Sequence, residues 1–228
     1  QKMTIDEKVL EAFYEIITES KQEMYNRIAA DRTNHITVAM ENIRKDHNAS
    51  AVLRTCDCFG IQNLHAIEED TEYVIQREIA RGAGNWVDLH SYTTGVNPSL
   101  ECLEKLKKEG YTIVATSPHA TKTVHELSLE NPVALVFGTE QHGITPDVEQ
   151  FSDELIKIPM YGFTESFNIS VSAALMLSTL RHRLENSEID WKLSVPEQVK
   201  LKIKWCTKII RDGERVENEI RRRIFEKE

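Results

Sequence analysis

The spacing of apolar residues changes twice along the chain. Between residues 5 and 29, apolar side chains recur every three or four positions, which is the period of an amphipathic helix. Thr4 and Glu7 have the spacing of a capping box, which predicts that this helix begins just after Thr4. Its apolar face must be covered, so we expect it to pack against the helical end of the chain or against a second subunit.

From Ile36 onward, short apolar runs alternate with helical patterns. The runs predict strands that read ITVAME, NLHAI, WVDLHSY, YTIVATS, VALVFG and ELIKI. Helices are predicted between them over residues 48–59, 98–109 and 146–151. This alternation favours an α/β fold with a mainly parallel sheet and helices on both of its faces.

The last part of the chain returns to a helical period. Residues 195–224 predict one or two terminal helices, with Gly213 as the weakest point of a single helix. We therefore expect three parts: an N-terminal helical extension over residues 1–33, an α/β domain over 34–185 and a C-terminal helical extension over 186–228.

Composition is that of a globular protein from a reducing compartment. Apolar residues make up 40% and charged residues 29% of the 228 positions. No apolar run approaches the roughly 20 residues of a membrane span, and the first residues lack the apolar core of a secretory signal. The four cysteines have neither CxxC nor metal-site spacing, which favours free thiols. We expect a cytoplasmic protein without a membrane segment or a metal.

Charge is distributed unevenly along the chain. The net charge of −9 disfavours nucleic acid as a partner when it is considered alone. Residues 34–198 carry 13 Lys and Arg against 24 Asp and Glu, whereas residues 199–223 carry nine against four. The C-terminal segment is therefore where a phosphate backbone could bind, although a solvated helix face would have the same pattern.

A first polar segment, NASAVLR, lies on the helix predicted over residues 48–59. Asn48 and Arg54 are separated by nearly two helical turns, so their side chains point within roughly a third of a turn of each other. Asn48 is a good N-cap for this helix. Arg54 is either an ordinary surface residue or a planar donor that binds a phosphate or a ribose hydroxyl.

A second polar segment, TEQHGI, follows the buried strand VALVFG. Gly138 and Gly143 bracket a polar turn and would let a ligand approach the backbone closely. Glu140 lies within this turn, either as a surface side chain or as part of a binding site. His142 could act as an acid or base, but a single loop histidine is more often a bystander.

A third polar segment, IPMYGFTESFNIS, joins the last strand to an apolar helix. It brings Ser166 and Asn168 to the start of that helix, where backbone N–H groups have no partner within the helix. These two residues could cap the helix or line a ligand site. The chain has neither a GxGxxG after its first strand nor a GxxxxGK[ST], which removes the main support for NAD or ATP binding.

Together the three segments resemble the motifs of the SpoU/TrmH family of RNA ribose 2′-O-methyltransferases, within the knotted SPOUT superfamily. The resemblance covers residues 34–185 and keeps the order of the family motifs. The matching residues are Asn48, Ala51, Arg54 and Gly60 in the first motif, Phe137, Gly138, Glu140 and Gly143 in the second, and Ile158, Pro159, Met160, Gly162, Ser166, Asn168 and Ser170 in the third. The branch that looks most similar methylates a guanosine ribose in the D-loop of tRNA.

The resemblance implies a bent S-adenosyl-L-methionine (AdoMet) bound in a C-terminal trefoil knot. It implies that the cofactor rests against Thr116, Gly138, Ile158 and Phe167. The family usually has Leu at position 167 and Val at position 169, where this chain has Phe167 and Ile169, so the adenine pocket is expected to be reshaped.

The resemblance also implies a catalytic set, in which a ribose 2′-oxygen attacks the sulfonium methyl group in line. The set comprises Arg54, Asn48, Glu140, Ser166 and Asn168. Ser166 and Asn168 would order the knot loop, and Glu140 would support the cofactor loop. Arg54 is the base proposed for the family. Because arginine stays protonated in proteins, we favour Arg54 as a donor that stabilises the developing alkoxide, oriented by Asn48.

Family members are homodimers whose sites combine residues of both subunits, so Arg54 is expected to act across the interface. The expected RNA contacts are Arg181, Arg183, Lys200, Lys202, Lys204, Lys208, Arg221, Arg222 and Arg223. Ribosomal-RNA members commonly carry a separate N-terminal RNA-binding domain, whereas only residues 1–33 precede the domain here, which favours tRNA. The alternatives are the same reaction on ribosomal RNA and an RNA-binding homologue without catalysis.

Overall fold

The computed structural model describes residues 3–43, 46–68, 82–93, 95–139 and 141–226. Glu140 lies outside the described residues. The chain divides into two compact units, one formed by residues 1–32 with 192–228 and the other by residues 33–191. The second unit extends past residue 185 because Ile189 and Trp191 pack into its core.

Helices and strands alternate along the described chain much as the apolar pattern predicts. The helices are α1 (Ile5–Tyr14), α2 (Glu19–Ala30), α3 (Asp46–Cys58), α4 (Pro98–Lys108), α5 (Pro146–Phe151), α6 (Ile169–Glu185), α7 (Val195–Ile209) and α8 (Gly213–Phe225). The strands are β1 (Ile36–Glu41), β2 (Asn63–Ile67), β3 (Asp88–Tyr92), β4 (Thr112–Thr116), β5 (Lys122–Thr123), β6 (Val133–Phe137) and β7 (Glu154–Lys157). Six strands are confirmed, and the two-residue β5 is too short to produce a periodic pattern.

The strands form one sheet within the described residues, in the order β3–β2–β1–β6–β4–β7–β5. Every strand pair is parallel, which confirms the predicted architecture. The central strand β6 is buried along its whole length. Its alternate side chains enter two separate apolar clusters, because successive residues of a strand point to opposite faces. One cluster includes residues of α3 and α6, and the other includes residues of α4 and α5.

The N-terminal helix is divided, so the prediction of one helix over residues 5–29 is wrong. The capping box of Thr4 and Glu7 is present, but α1 ends at Tyr14. Thr18 then starts α2 from an extended conformation. Residues 16–18 are the β-branched Ile, Ile and Thr, which are poor helix formers, so the interruption falls where helix propensity is lowest. The apolar face continues across the interruption, since α1 and α2 both pack against α7.

The C-terminal segment forms two helices, and the interruption lies directly before Gly213. Asp212 adopts a left-handed conformation with φ 55°, and Gly213 begins α8. A Cβ on Gly213 would lie 2.0 Å from the carbonyl oxygen of Thr207, so close backbone packing requires glycine here. Among the described residues, no helix combines the length and the apolar character needed to cross a membrane.

Candidate active site

A cleft opens where β4, β6 and β7 end, beside the first turns of α6. It encloses about 760 Å³ when the open space at its mouth is included. Its walls include all four residues predicted to contact the cofactor, namely Thr116, Gly138, Ile158 and Phe167. Ser166 also lines the cleft. The carboxyl ends of parallel strands thus bring together residues that lie far apart in the sequence.

The turn after β6 forms one wall of this cleft. Thr139 and Gly143 exchange two backbone hydrogen bonds, with N···O distances of 2.8 and 2.9 Å. Gly143 has φ 68°, a conformation that favours glycine. A Cβ on Gly138 would lie 2.1 Å from the carbonyl carbon of Gly143, so the turn closes only when residue 138 lacks a side chain. Gly138 is therefore needed for the turn to close, and the approach of a ligand to its backbone stays a prediction.

The other end of this turn is attached to a buried carboxylate that the sequence analysis missed. Glu41, the last residue of β1, accepts hydrogen bonds from the backbone N–H and the hydroxyl of Thr145, at 2.8 and 2.7 Å. It also accepts one from the hydroxyl of Ser99, at 2.8 Å. The available signal was an acidic residue inside the otherwise apolar strand ITVAME, because a buried charge requires partners.

Two predicted catalytic residues meet across 120 positions of sequence. The side-chain amide of Asn168 donates to the side-chain oxygen of Asn48 at 3.2 Å, where α3 packs against α6. Asn168 also caps α6, because its side-chain oxygen accepts from the backbone N–H of Ser170 at 2.9 Å. The prediction that Asn48 is an N-cap is wrong, since α3 begins at Asp46. The side chain of Asn48 joins two helices instead.

Arg54 has quite different surroundings from Asn48, although both lie on α3. Asn48 is 2% exposed, whereas Arg54 is exposed to solvent. Arg54 does not line the cleft, and it has no hydrogen-bond or ion-pair partner among the described residues. Its guanidinium is therefore available for a ligand or for another chain.

Arg181 and Arg183 lie on α6 and are two of the predicted RNA contacts. Their guanidinium groups contact other residues of the unit formed by residues 33–191. Arg181 stacks over the ring of Trp191, 4.0 Å from its centroid, and pairs with Glu185 at 2.9 Å. Arg183 donates to the backbone oxygens of Val124 and Leu127, at 3.1 and 2.6 Å. These contacts tie the end of α6 to neighbouring loops.

The predicted basic residues of the other unit differ in their exposure to solvent. Arg221 bonds to Asp6 and Glu217 at 2.9 and 2.8 Å, and both Arg222 and Arg223 bond to Glu219. The hydrogen bonds from these last two arginines lower the pKa of Glu219. Lys202 donates to Asn26 at 2.8 Å, and burial lowers its pKa. The exposed residues Lys200, Lys204 and Lys208 are spaced by four positions, which places them along one face of α7.

Five exposed apolar side chains, the apolar row, follow one another in sequence from the third segment into α6. Tyr161 and Phe163 are 95% and 108% exposed, and Phe167, Val171 and Leu175 are each more than 40% exposed. Exposed apolar side chains grouped in this way are typical of an interaction surface. Within the described ranges, no cluster of His, Cys, Asp and Glu is arranged to hold a metal ion.

Comparison with known proteins gives a consistent set of relatives. A model described as the SpoU rRNA Methylase family matches residues 35–178. The tRNA (guanosine(18)-2′-O)-methyltransferase of Borreliella burgdorferi is 34% identical over 203 residues, which cover 89% of this chain and 91% of that protein. The 23S rRNA (guanosine-2′-O-)-methyltransferase RlmB of Pseudomonas aeruginosa is 32% identical, but the match covers 65% of this chain and 59% of that protein.

The fold also matches a solved relative along most of its length. The A. aeolicus TrmH/SpoU tRNA modifying enzyme superposes with a TM-score of 0.75 and 28% sequence identity. The superposition covers 85% of this chain and 98% of that one. The similarity therefore extends over nearly the whole of that structure.

Proposed function

This chain belongs to the SpoU methylase family, and from that premise we propose that it transfers the methyl group of AdoMet to a ribose 2′-hydroxyl of tRNA. We propose a guanosine in the D-loop as the target. The observation that carries the proposal is the convergence of Thr116, Gly138, Ile158 and Phe167 on one cleft beside the Asn48–Asn168 contact. The match to the Borreliella enzyme along nearly the full length of both chains supports tRNA as the substrate.

The cleft suits AdoMet in both shape and chemistry. Apolar side chains of Ile158, Phe167 and Met176 offer a surface for an adenine ring. The turn at Gly138 exposes backbone without a side chain, so backbone groups can meet the polar edge of the base. AdoMet supplies a methyl group on a positively charged sulfur. The residues that line the cleft would hold this group for in-line attack by a ribose oxygen.

Arg54 is the residue that we propose acts on the ribose hydroxyl. A ribose 2′-hydroxyl gains negative charge as its proton leaves, and a guanidinium can donate to that oxygen and to an adjacent phosphate. Arginine remains protonated, so it would stabilise the alkoxide, and the hydroxyl proton would pass to water. The new O–CH₃ bond would form as the S–CH₃ bond breaks, with S-adenosyl-L-homocysteine as the leaving group. Asn48 and Asn168 fix the contact between α3 and α6 and thereby set the position of the helix that carries Arg54. We further propose that Ser166 orders the knot loop, which comprises residues 158–168. We propose that Glu140 supports the cofactor turn, which comprises residues 138–145.

We propose that the active unit is a homodimer with each active site at the subunit interface. Arg54 is exposed and lies outside the cleft lining, which fits a site completed by the Arg54 of a second copy. The apolar row from Tyr161 to Leu175 borders the same cleft through Phe167. A second copy would cover that row and exclude water from the cleft mouth.

We propose that the segment after β7 forms a trefoil knot around the cofactor. Residues 158–168 leave the sheet beside the cleft, and α6 then packs back against α3, which follows the first strand. Membership of the SpoU methylase family supports a threaded path, which is rare among other folds.

We propose that the exposed face of α7 with Lys200, Lys204 and Lys208 contributes phosphate contacts to tRNA in the cytoplasm. Arg181, Arg183 and Arg221 are weaker candidates, because they are only partly exposed. A phosphate-binding role requires that tRNA affinity fall steeply between low and moderate salt, since each contact releases condensed counterions. An affinity that is insensitive to salt would contradict this role.

The proposed reaction is tested by mapping 2′-O-methyl groups in tRNA from cells with and without the protein. We expect one methylated D-loop guanosine to disappear in its absence. Purified protein with AdoMet should restore the methyl group on the unmodified tRNA. Methylation of ribosomal RNA alone would favour the alternative substrate. Failure of the purified protein to bind AdoMet would instead favour an RNA-binding homologue without catalysis.

A further inference from the structure

A buried carboxylate lies beneath the cofactor turn without lining the cleft itself. Glu41 ends β1, and its exposed fraction is 1%. Burying an ionised carboxylate is costly unless hydrogen-bond donors compensate for the lost water. A carboxylate at this buried position therefore requires hydrogen-bond donors around it.

Three donors converge on the two oxygens of Glu41. Oε1 accepts from the hydroxyls of Ser99 and Thr145, at 2.8 and 2.7 Å, and Oε2 accepts from the backbone N–H of Thr145 at 2.8 Å. Ser99 is itself 1% exposed and lies in the first turn of α4. Thr145 caps the start of α5. One side chain therefore joins the end of β1 to two helices.

The same side chain fixes the far end of the cofactor turn. The near end follows β6 directly, where Phe137 pairs with Met40 of β1. The far end reaches Thr145, two positions after Gly143, which closes the turn onto Thr139. Both ends of the turn are consequently attached to β1, one through the sheet and the other through Glu41.

We propose that Glu41 is a positioning residue that holds residues 138–145 in the conformation that binds AdoMet. This inference rests on the proposed function, because it assigns the cleft to that cofactor. Glu41 acts through Thr145 and does not touch the cofactor. Its effect reaches the cleft because Gly138, Thr139 and Gly143 form part of the cleft wall.

The chemistry at this position distinguishes a carboxylate from its amide. Three donors point at the side chain, and a carboxylate accepts at both oxygens. A glutamine of the same shape keeps one oxygen, which can accept from the backbone N–H of Thr145, and its N–H₂ group then faces the hydroxyls of Ser99 and Thr145, which must rotate to accept. The substitution Glu41→Gln therefore replaces three charge-assisted hydrogen bonds by weaker neutral ones without changing the volume of the side chain.

The test compares Glu41→Gln with Thr37→Val, a matched change on the same strand. Thr37 is fully buried, and its hydroxyl donates to the backbone oxygen of Asn63 at 2.8 Å, away from the cofactor turn. Both variants should melt below the wild type. In calorimetric titration, Glu41→Gln should bind AdoMet about tenfold or more weakly, whereas Thr37→Val should retain wild-type affinity. Amide hydrogen exchange over residues 139–145 should accelerate only in Glu41→Gln.

The possible outcomes separate this inference from the proposed function. If Glu41→Gln binds AdoMet as Thr37→Val does and its turn exchanges at the wild-type rate, the inference is wrong. If the wild type itself does not bind AdoMet, the proposed function fails, and the exchange rates of the turn still decide whether Glu41 holds it. If Glu41→Gln does not fold, Thr145→Val removes one of the three donors and should weaken AdoMet binding by about threefold or more. Wild-type affinity and exchange in that variant would overturn the inference.

Discussion

At the scale of single side chains, the proposed site has a part that would hold the cofactor and a part that would meet the ribose. The side chains of Asn48 and Asn168 are hydrogen-bonded to each other, whereas the guanidinium of Arg54 has no partner among the described residues. A guanidinium differs from an ammonium in presenting several donors in one plane. The geometry of Arg54, and not only its charge, is therefore expected to matter.

Replacing Arg54 by lysine should lower kcat by about 100-fold or more, because a point charge cannot donate to the alkoxide and a phosphate together. AdoMet affinity should stay near the wild-type value, since Arg54 does not line the cleft. Single-turnover methylation and calorimetric titration measure the two effects. Arg211→Lys is the matched control, because the Arg211 side chain is 97% exposed. A near-full rate for Arg54→Lys would show that the planar guanidinium is not required at this position.

Gly138 gives a second prediction at the residue scale. Gly138→Ala should destabilise the fold by about 1–3 kcal/mol, because its Cβ would overlap the backbone of Gly143. Gly162→Ala is the control, since a Cβ there meets nothing within 4 Å. Chemical denaturation of both variants measures the difference. Equal free energies of unfolding for Gly138→Ala and Gly162→Ala would show that the turn accommodates a Cβ at position 138 at little cost.

At the scale of elements, the spacing of apolar residues predicts most of the helices and strands. The strands and α3 to α5 leave a clear pattern, and the glycine before α8 marks an interruption. The division of α1 from α2 is missed because the apolar face continues across residues 15–18. Contacts between distant segments leave no local signal, so Glu41, the partners of Arg183 and the exposed row on α6 are found only in the structure. The motifs, in contrast, identify the cleft residues, because strand ends converge in any parallel sheet.

The C-terminal half of α6 has a structural role that can be measured. Arg183→Ala removes two charge-assisted hydrogen bonds to the backbone of residues 124 and 127 and should lower stability by about 1–3 kcal/mol. Its tRNA affinity, measured by filter binding where the variant is fully folded, should remain near that of the wild type. Lys200→Ala should have the opposite profile, with normal stability and weaker tRNA binding. A large loss of tRNA affinity in folded Arg183→Ala would show instead that Arg183 belongs to the RNA interface.

At the scale of the whole molecule, the proposed dimer would bring Arg54, which lies outside the lining of the cleft, to the cleft of a second copy. Leu175→Asp places a charge in the apolar row and should convert the protein to a monomer in sedimentation experiments. Val96→Asp is the control, because Val96 is fully exposed on a different loop. A Leu175→Asp protein that stays dimeric would exclude this surface as the interface.

Mixed dimers test whether the site is shared between subunits. Arg54→Ala chains keep an intact cleft, and chains with a disabled cleft keep Arg54. Co-expressed subunits of the two kinds should regain methylation, because one of the two sites then has both parts. If activity does not return, Arg54 acts on the cleft of its own chain.

The order of strands in the sheet has a consequence for the chain as it leaves the ribosome. β6 lies between β1 and β4, so neither strand has its central neighbour until residues 133–137 have been synthesised. At about 5–20 residues per second, the inner edge of β1 stays open for roughly 5–20 s. An unpaired apolar strand edge is a site of aggregation. The nascent protein is therefore expected to depend on chaperones during this interval, and slower translation between β1 and β6 would lower its soluble yield.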